Sequence, residues 1–160
     1  MKRLLILRHA KSSWANSSIS DWQRPLNDRG RRDAPRAGQW LRAHSRVPDL
    51  IITSDAVRAR TTAELVGTAA GYARDIIVEP SLYLARPEDV IALLKEVKEP
   101  AATVLIVGHN PGLEDLIAML SGEPLGLKTT ALVDLSMAID RWSDIDRATA
   151  ASIVDTWEPD

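Results

Sequence analysis

Short apolar runs that alternate with stretches of helical periodicity leave this chain few ways to fold. Leu4–Leu7, Leu50–Ile52, Ile76–Val78 and Val104–Val107 are each apolar throughout and short, which predicts buried strands. Between and after them the apolar residues change period. Ala34, Ala37, Gly38 and Leu41 fall at i, i+3, i+4 and i+7, as do Val90, Leu93, Leu94 and Val97, and Leu113, Leu116, Ile117 and Leu120. Ala59, Ala63, Val66 and Ala70 make a fourth stripe. Pro35 lies inside the first stripe and predicts a kink or a late start, because it lacks the amide a helix interior uses. Strand and helix in alternation predict βαβ units and a mainly parallel sheet. The tail differs. Val133, Leu135 and Met137 alternate with their neighbours, and Ser152–Trp157 reads as another strand, so an antiparallel C-terminal edge is expected, joined through the polar stretch Asp140–Arg147.

No repeat or linker divides the 160 residues, so one domain, 1–160, is expected. A net charge of -2 offers nothing to a nucleic acid or an anionic membrane surface. Cysteine is absent, which excludes disulfides, zinc thiolate sites and cysteine nucleophiles. The apolar run near the N-terminus is too short for a secretion signal or a membrane span, so a cytoplasmic location is expected.

In an open α/β sheet, ligands bind outside the carboxyl ends of the strands. Three polar clusters fall at such ends: Arg8-His9-Ala10, then Thr53–Ala59 with Arg58, then Gly108-His109-Asn110-Pro111-Gly112. Two of the three histidines are among them. The third, His44, falls near the end of the first helix, where solvent or the helix C-terminus would hold it. Each cluster has a plain reading by itself. Arg58 suits a helix surface, and Asn110-Pro111 suits an N-cap followed by a first-turn proline. Together on one edge, two arginines and two histidines near two helix N-termini make a pocket suited to a phosphoryl group. Neutral imidazole is a good nucleophile, and neighbouring arginines both keep it neutral and stabilise the charge of a transferring phosphoryl group.

Four segments carry a resemblance. They are Leu5–Ser12, Arg24–Gly30, Ser54–Glu64 and Val107–Gly112. In this order and spacing the chain resembles the histidine phosphatase, or phosphoglycerate mutase-like, superfamily, and within it the small SixA-like phosphohistidine phosphatases. The resemblance implies a three-layer α/β/α sandwich and a metal-independent, cofactor-free phosphatase. His9 would be the nucleophile and carry a transient phosphohistidine. Arg8 and Arg58 would clamp phosphate oxygens, and His109 would hydrogen-bond the same group.

Two positions depart from the family pattern. Ala10 stands where a glycine is usual, which argues against a positive φ there. Leu84 stands where larger relatives carry a carboxylate general acid. Glu79, Glu88 and Asp21 are the substitutes the sequence offers. An alkoxide leaving group needs a proton and an imidazole far less so, which favours a phosphohistidine on a protein over a small phosphorylated ester. No insertion long enough for a lid is present. Trp14 and Trp22 are expected either to border the open site or to pack on the domain. A monomer is expected. Two other classes stay open: a small-molecule phosphomonoesterase and a non-catalytic phosphoprotein-binding module. A metal site on His9 and His109 is disfavoured, because adjacent arginines repel a cation.

Overall fold

Along the first strand, alternate residues go to opposite sides of a sheet, and both sides are covered. The computed structural model describes residues 1–160. Strand β1 (Lys2–Arg8) sends Leu4 and Ile6 to one face and Leu5 and Leu7 to the other, all fully buried. A strand buried on both faces needs helices on both, and the chain supplies two pairs. Helices α1 (Asp28–Ala43) and α2 (Val57–Ala70) pack with Leu5, Leu7, Ile51 and Val107. Helices α3 (Pro87–Lys95) and α4 (Gly112–Ser121) pack with Leu4, Ile6, Val104 and Ile106. The result is the expected α/β/α sandwich.

The sheet also holds β2 (Leu50–Thr53), β3 (Ile77–Val78), β4 (Thr103–Gly108), β5 (Leu132–Met137) and β6 (Ala151–Trp157), in the order β3-β2-β4-β1-β5-β6. Strands β3, β2, β4 and β1 are parallel; β5 pairs antiparallel with β1, and β6 pairs antiparallel with β5, which gives the antiparallel C-terminal edge that the alternating tail predicts. Two registers matter for the site. Arg8 lies opposite Gly108, and Thr53 lies opposite Val107, so the residues that follow each strand leave the sheet side by side.

Four sequence expectations are corrected. The third apolar run is not a buried strand: β3 is two residues long, and Ile77 and Val78 are both exposed at the sheet edge. Pro35 causes no late start, because the Asn27 side chain accepts from the Gly30 amide and begins α1 a full two turns earlier. Asn110 is not an N-cap. Helix α4 begins after Pro111, and Asn110 instead donates to the Leu127 carbonyl. The stretch Asp140–Arg147 is not simply a polar connector, since Trp142 and Ile145 are both fully buried in the α3–α4 face.

Two glycines bring site segments into close contact. A methyl group at Gly30 would overlap the Lys11 carbonyl oxygen, so α1 lies hard against the loop after β1. A methyl at Gly112 would overlap the Ala85 carbonyl oxygen, so the start of α4 lies hard against the segment before α3. No helix is long and apolar enough to cross a membrane.

Candidate active site

Because β1 and β4 end in register, His9 and His109 emerge as neighbours, with ring centroids 5.2 Å apart. Arg58, on the first turn of α2, reaches across so that its Nε lies 3.4 Å from Nε2 of His9. These three and Arg8 line one pocket of about 200 Å³, together with Lys11, Ser12, Trp14, Arg24, Leu84, Asn110 and Thr129. No carboxylate is among the lining side chains.

His9 is 6% exposed. Its Nδ1 lies 2.8 Å from the Ala10 carbonyl oxygen, an acceptor only, so Nδ1 carries the hydrogen. Neutral His9 therefore keeps its lone pair on Nε2, beside Arg58. Burial pushes its pKa down to about 3, and Arg58 and Arg8 act in the same direction, against the opposing bond to Ala10. His109 is shifted down to about 4, by burial first and then by Arg58. Both rings are neutral across the physiological range.

The backbone around His9 is tied on two sides. The Ala10 amide donates to the Thr62 hydroxyl, which itself donates to the Arg58 carbonyl, so the His9 loop and α2 are linked. The Thr130 amide donates to the carbonyls of Arg8 and His9. His109 is oriented by Ser54, whose Oγ lies 2.8 Å from Nε2. That hydroxyl already accepts from the Ala56 amide, which leaves its own hydrogen free for Nε2. His109 then carries its hydrogen on Nδ1, a buried atom with no partner in the protein.

The arginines differ in how they are held. Arg58 gives one terminal nitrogen to the Asp21 carbonyl oxygen at 2.7 Å and the other to the Asp21 carboxylate at 3.0 Å. Arg24 donates to the other Asp21 oxygen at 3.1 Å and to Ser12 Oγ at 2.8 Å. Tyr83 donates to Asp21 at 2.6 Å. Arg8 makes no ion pair, donates to the Leu127 carbonyl at 3.2 Å, and keeps a buried Nε with no partner. A cluster of unpaired buried donors around a cationic pocket is suited to an anion with several acceptor oxygens.

Of the carboxylates offered as a general acid, none lies in the pocket. Asp21 sits behind the arginines, and its pKa is lowered to about 2 by the Tyr83 hydroxyl first and then by Arg58 and Arg24. It is a fixed anion, not a proton donor. Glu79 accepts from Ser81, and Glu88 is exposed in the first turn of α3. Leu84 does line the pocket, 57% exposed. Trp14 is on the rim, stacked on Arg24 with the guanidinium 3.5 Å from the ring centre, whereas Trp22 packs on the α1–α2 core. His44 is exposed, with Nδ1 on the Trp40 carbonyl at the end of α1. Sequence reasoning missed the parts played by Arg24, Ser54, Thr62 and Tyr83. Arg24, Ser54 and Thr62 had a signal, as members of the motif segments; Tyr83 had none.

No group of three or more His, Asp or Glu side chains is gathered where it could hold a metal ion.

This geometry has known counterparts. A sequence model of the histidine phosphatase superfamily (branch 1) matches residues 4–83. An uncharacterized protein of Mycobacterium tuberculosis is 34% identical over 160 residues, covering 92% of this chain and 96% of its own length. The crystal structure of a SixA protein from Agrobacterium tumefaciens superposes with a TM-score of 0.84 at 29% identity, covering 99% of this chain and 98% of the other. The structure of the protein histidine phosphatase SixA with tungstate superposes with a TM-score of 0.81 at 25% identity, covering 96% and 95%. A protein with this sheet order and this sequence pattern belongs to the histidine phosphatase superfamily, and it is a SixA-like phosphatase.

Proposed function

We propose that the chain removes the phosphoryl group from phosphohistidine on a protein, through a covalent intermediate on His9. The observation that carries this reading is the His9 ring itself. Its Nδ1 hydrogen is committed to the Ala10 carbonyl, and Nε2 is held neutral and unprotonated among Arg58, Arg8 and His109. Nε2 attacks phosphorus, the bond from phosphorus to the leaving group breaks, and the arginines with the Nδ1 hydrogen of His109 hold the three equatorial oxygens. A water then attacks the phosphohistidine, returns Nε2 its lone pair and releases inorganic phosphate.

The leaving group is argued from what the pocket lacks. A carboxylic acid that protonates an alkoxide contributes roughly 10²–10⁴-fold in rate. The lining has no such group, Asp21 is held ionised, and Leu84 occupies the mouth. Imidazole leaves from phosphorus with little assistance, so a P–N bond suits this pocket better than a sugar ester. The SixA protein described as a protein histidine phosphatase, which binds tungstate, a phosphate-shaped oxyanion, supports the same reading.

The test compares a phosphohistidine peptide, phosphoramidate and a sugar phosphate as substrates, each with and without a chelator. Cleavage of the first two that far exceeds the third and is indifferent to chelator is expected. His9→Ala should lower every rate by roughly 10³-fold or more. Denatured enzyme should carry an acid-labile, base-stable phosphate label that His9→Ala lacks. Strong sugar-phosphate turnover with no phosphohistidine cleavage would assign the site to small esters instead.

A further inference from the structure

We infer that Trp14 and Leu84 form an apolar mouth that grips the imidazole ring of the phosphohistidine and so selects a flat, aromatic leaving group. The inference rests on the substrate reading above and adds residues that recognise the side of the substrate away from phosphorus.

Two observations carry it, one for each residue. Leu84 adopts φ of 54°, the left-handed region that costs a branched side chain energy. Nothing in the core repays that cost, because the side chain is 57% exposed. The neighbouring Ala85 carbonyl is pressed against Gly112, and this contact holds the segment at the pocket edge. A strained, exposed leucine aimed at a polar pocket points to a ligand as its partner. Trp14 is likewise exposed, at 75%, yet it is not loose. Its segment is tied by the Ser13 amide to the Pro25 carbonyl and by the bridge between Ser12 and Leu26. The ring lies on Arg24, whose own guanidinium is fixed by Ser12 and Asp21. Stacking covers one face of the indole and leaves the rest open.

These are the two apolar residues in a lining otherwise composed of cations, histidines and hydrogen-bonding groups. The chemistry divides accordingly. The phosphoryl group goes to Arg8, Arg58 and His109 at the bottom, and the leaving group must pass Trp14 and Leu84. A planar ring buries apolar surface there and can stack on the indole. A sugar would set its hydroxyls against the same surfaces and lose water without gaining partners. Both residues stand proud of the surface, so a histidine displayed on a folded partner can reach them with its backbone outside the pocket.

The experiment compares a phosphohistidine peptide with phosphoramidate, which has the P–N bond but no ring. The quantity read is the ratio of the two kcat/KM values. Trp14→Ala and Leu84→Asn should each lower that ratio about tenfold, with KM for the peptide rising. Asparagine suits the left-handed backbone, so Leu84→Asn removes the apolar group without moving the chain. Trp14→Phe keeps a ring and should keep most of the ratio. A ratio that stays constant while both rates fall together, or no change in either, would overturn the inference. A wild-type enzyme that cleaves phosphoramidate but not the peptide would instead overturn the substrate reading on which it stands.

Discussion

Asp21 is the hinge of the site at the scale of single residues, although it never enters the pocket. One carboxylate receives Arg58, Arg24 and Tyr83, so it fixes the orientation of two arginines at once. Asp21→Asn should leave the fold intact and lower kcat/KM by roughly 10–100-fold, because Arg58 then loses the partner that aims it. Tyr83→Phe removes one of the three bonds and should cost less. Steady-state kinetics on phosphoramidate measure both. Arg8, His9, Arg58 and His109 were legible in the sequence because each ends or follows a strand or opens a helix, where periodicity fixes the position. Asp21 and Tyr83 were not legible in their true role. Both arrive in short irregular segments, and only the fold sets Tyr83 beside a residue so far from it in the chain. The sequence did raise Asp21 as an acid, but the arginines around it make it a permanent anion.

Among the elements, the buried Asp134 of β5 does the most to hold separate parts together. It accepts from Arg3 of β1 at 3.0 Å and from Arg46, beyond α1, at 2.9 Å. It is fully buried, whereas its partners are partly exposed. Asp134→Ala should lower unfolding stability by about 2–4 kcal/mol, since two arginines lose a buried acceptor. The shift of the urea midpoint measures it, and kcat should be nearly unchanged. The major helices and the central strands could be read from apolar spacing. The start of α4 could not, because Asn110 has a better use as a donor to Leu127 than as a cap. Nor could the edge position of Ile77 and Val78 be read, because an apolar run looks the same at the centre of a sheet and at its margin.

The whole molecule carries a cost for keeping two histidines neutral and dry. His9 and His109 titrate near 3 and 4 in the folded chain and near 6.5 when unfolded. Between these values the unfolded state binds the extra protons, so stability falls as pH drops below about 6.5 and this contribution is spent once pH reaches about 3. Each ring adds its own proton uptake on unfolding, so the fall is steepest where both imidazoles are charged in the unfolded chain and neutral in the folded one. Urea unfolding at pH 7, 6 and 5 should show this fall, and replacing both His9 and His109 by glutamine should flatten it. The sheet divides the interior into two apolar masses, one under α1 and α2 and the other under α3 and α4. Arg58 belongs to the first side, and His109 is followed by the helix of the second. The candidate site is therefore a seam between two separately packed halves of the interior. Loosening of either half opens the same seam, so the enzyme reports on the integrity of both with a single reaction.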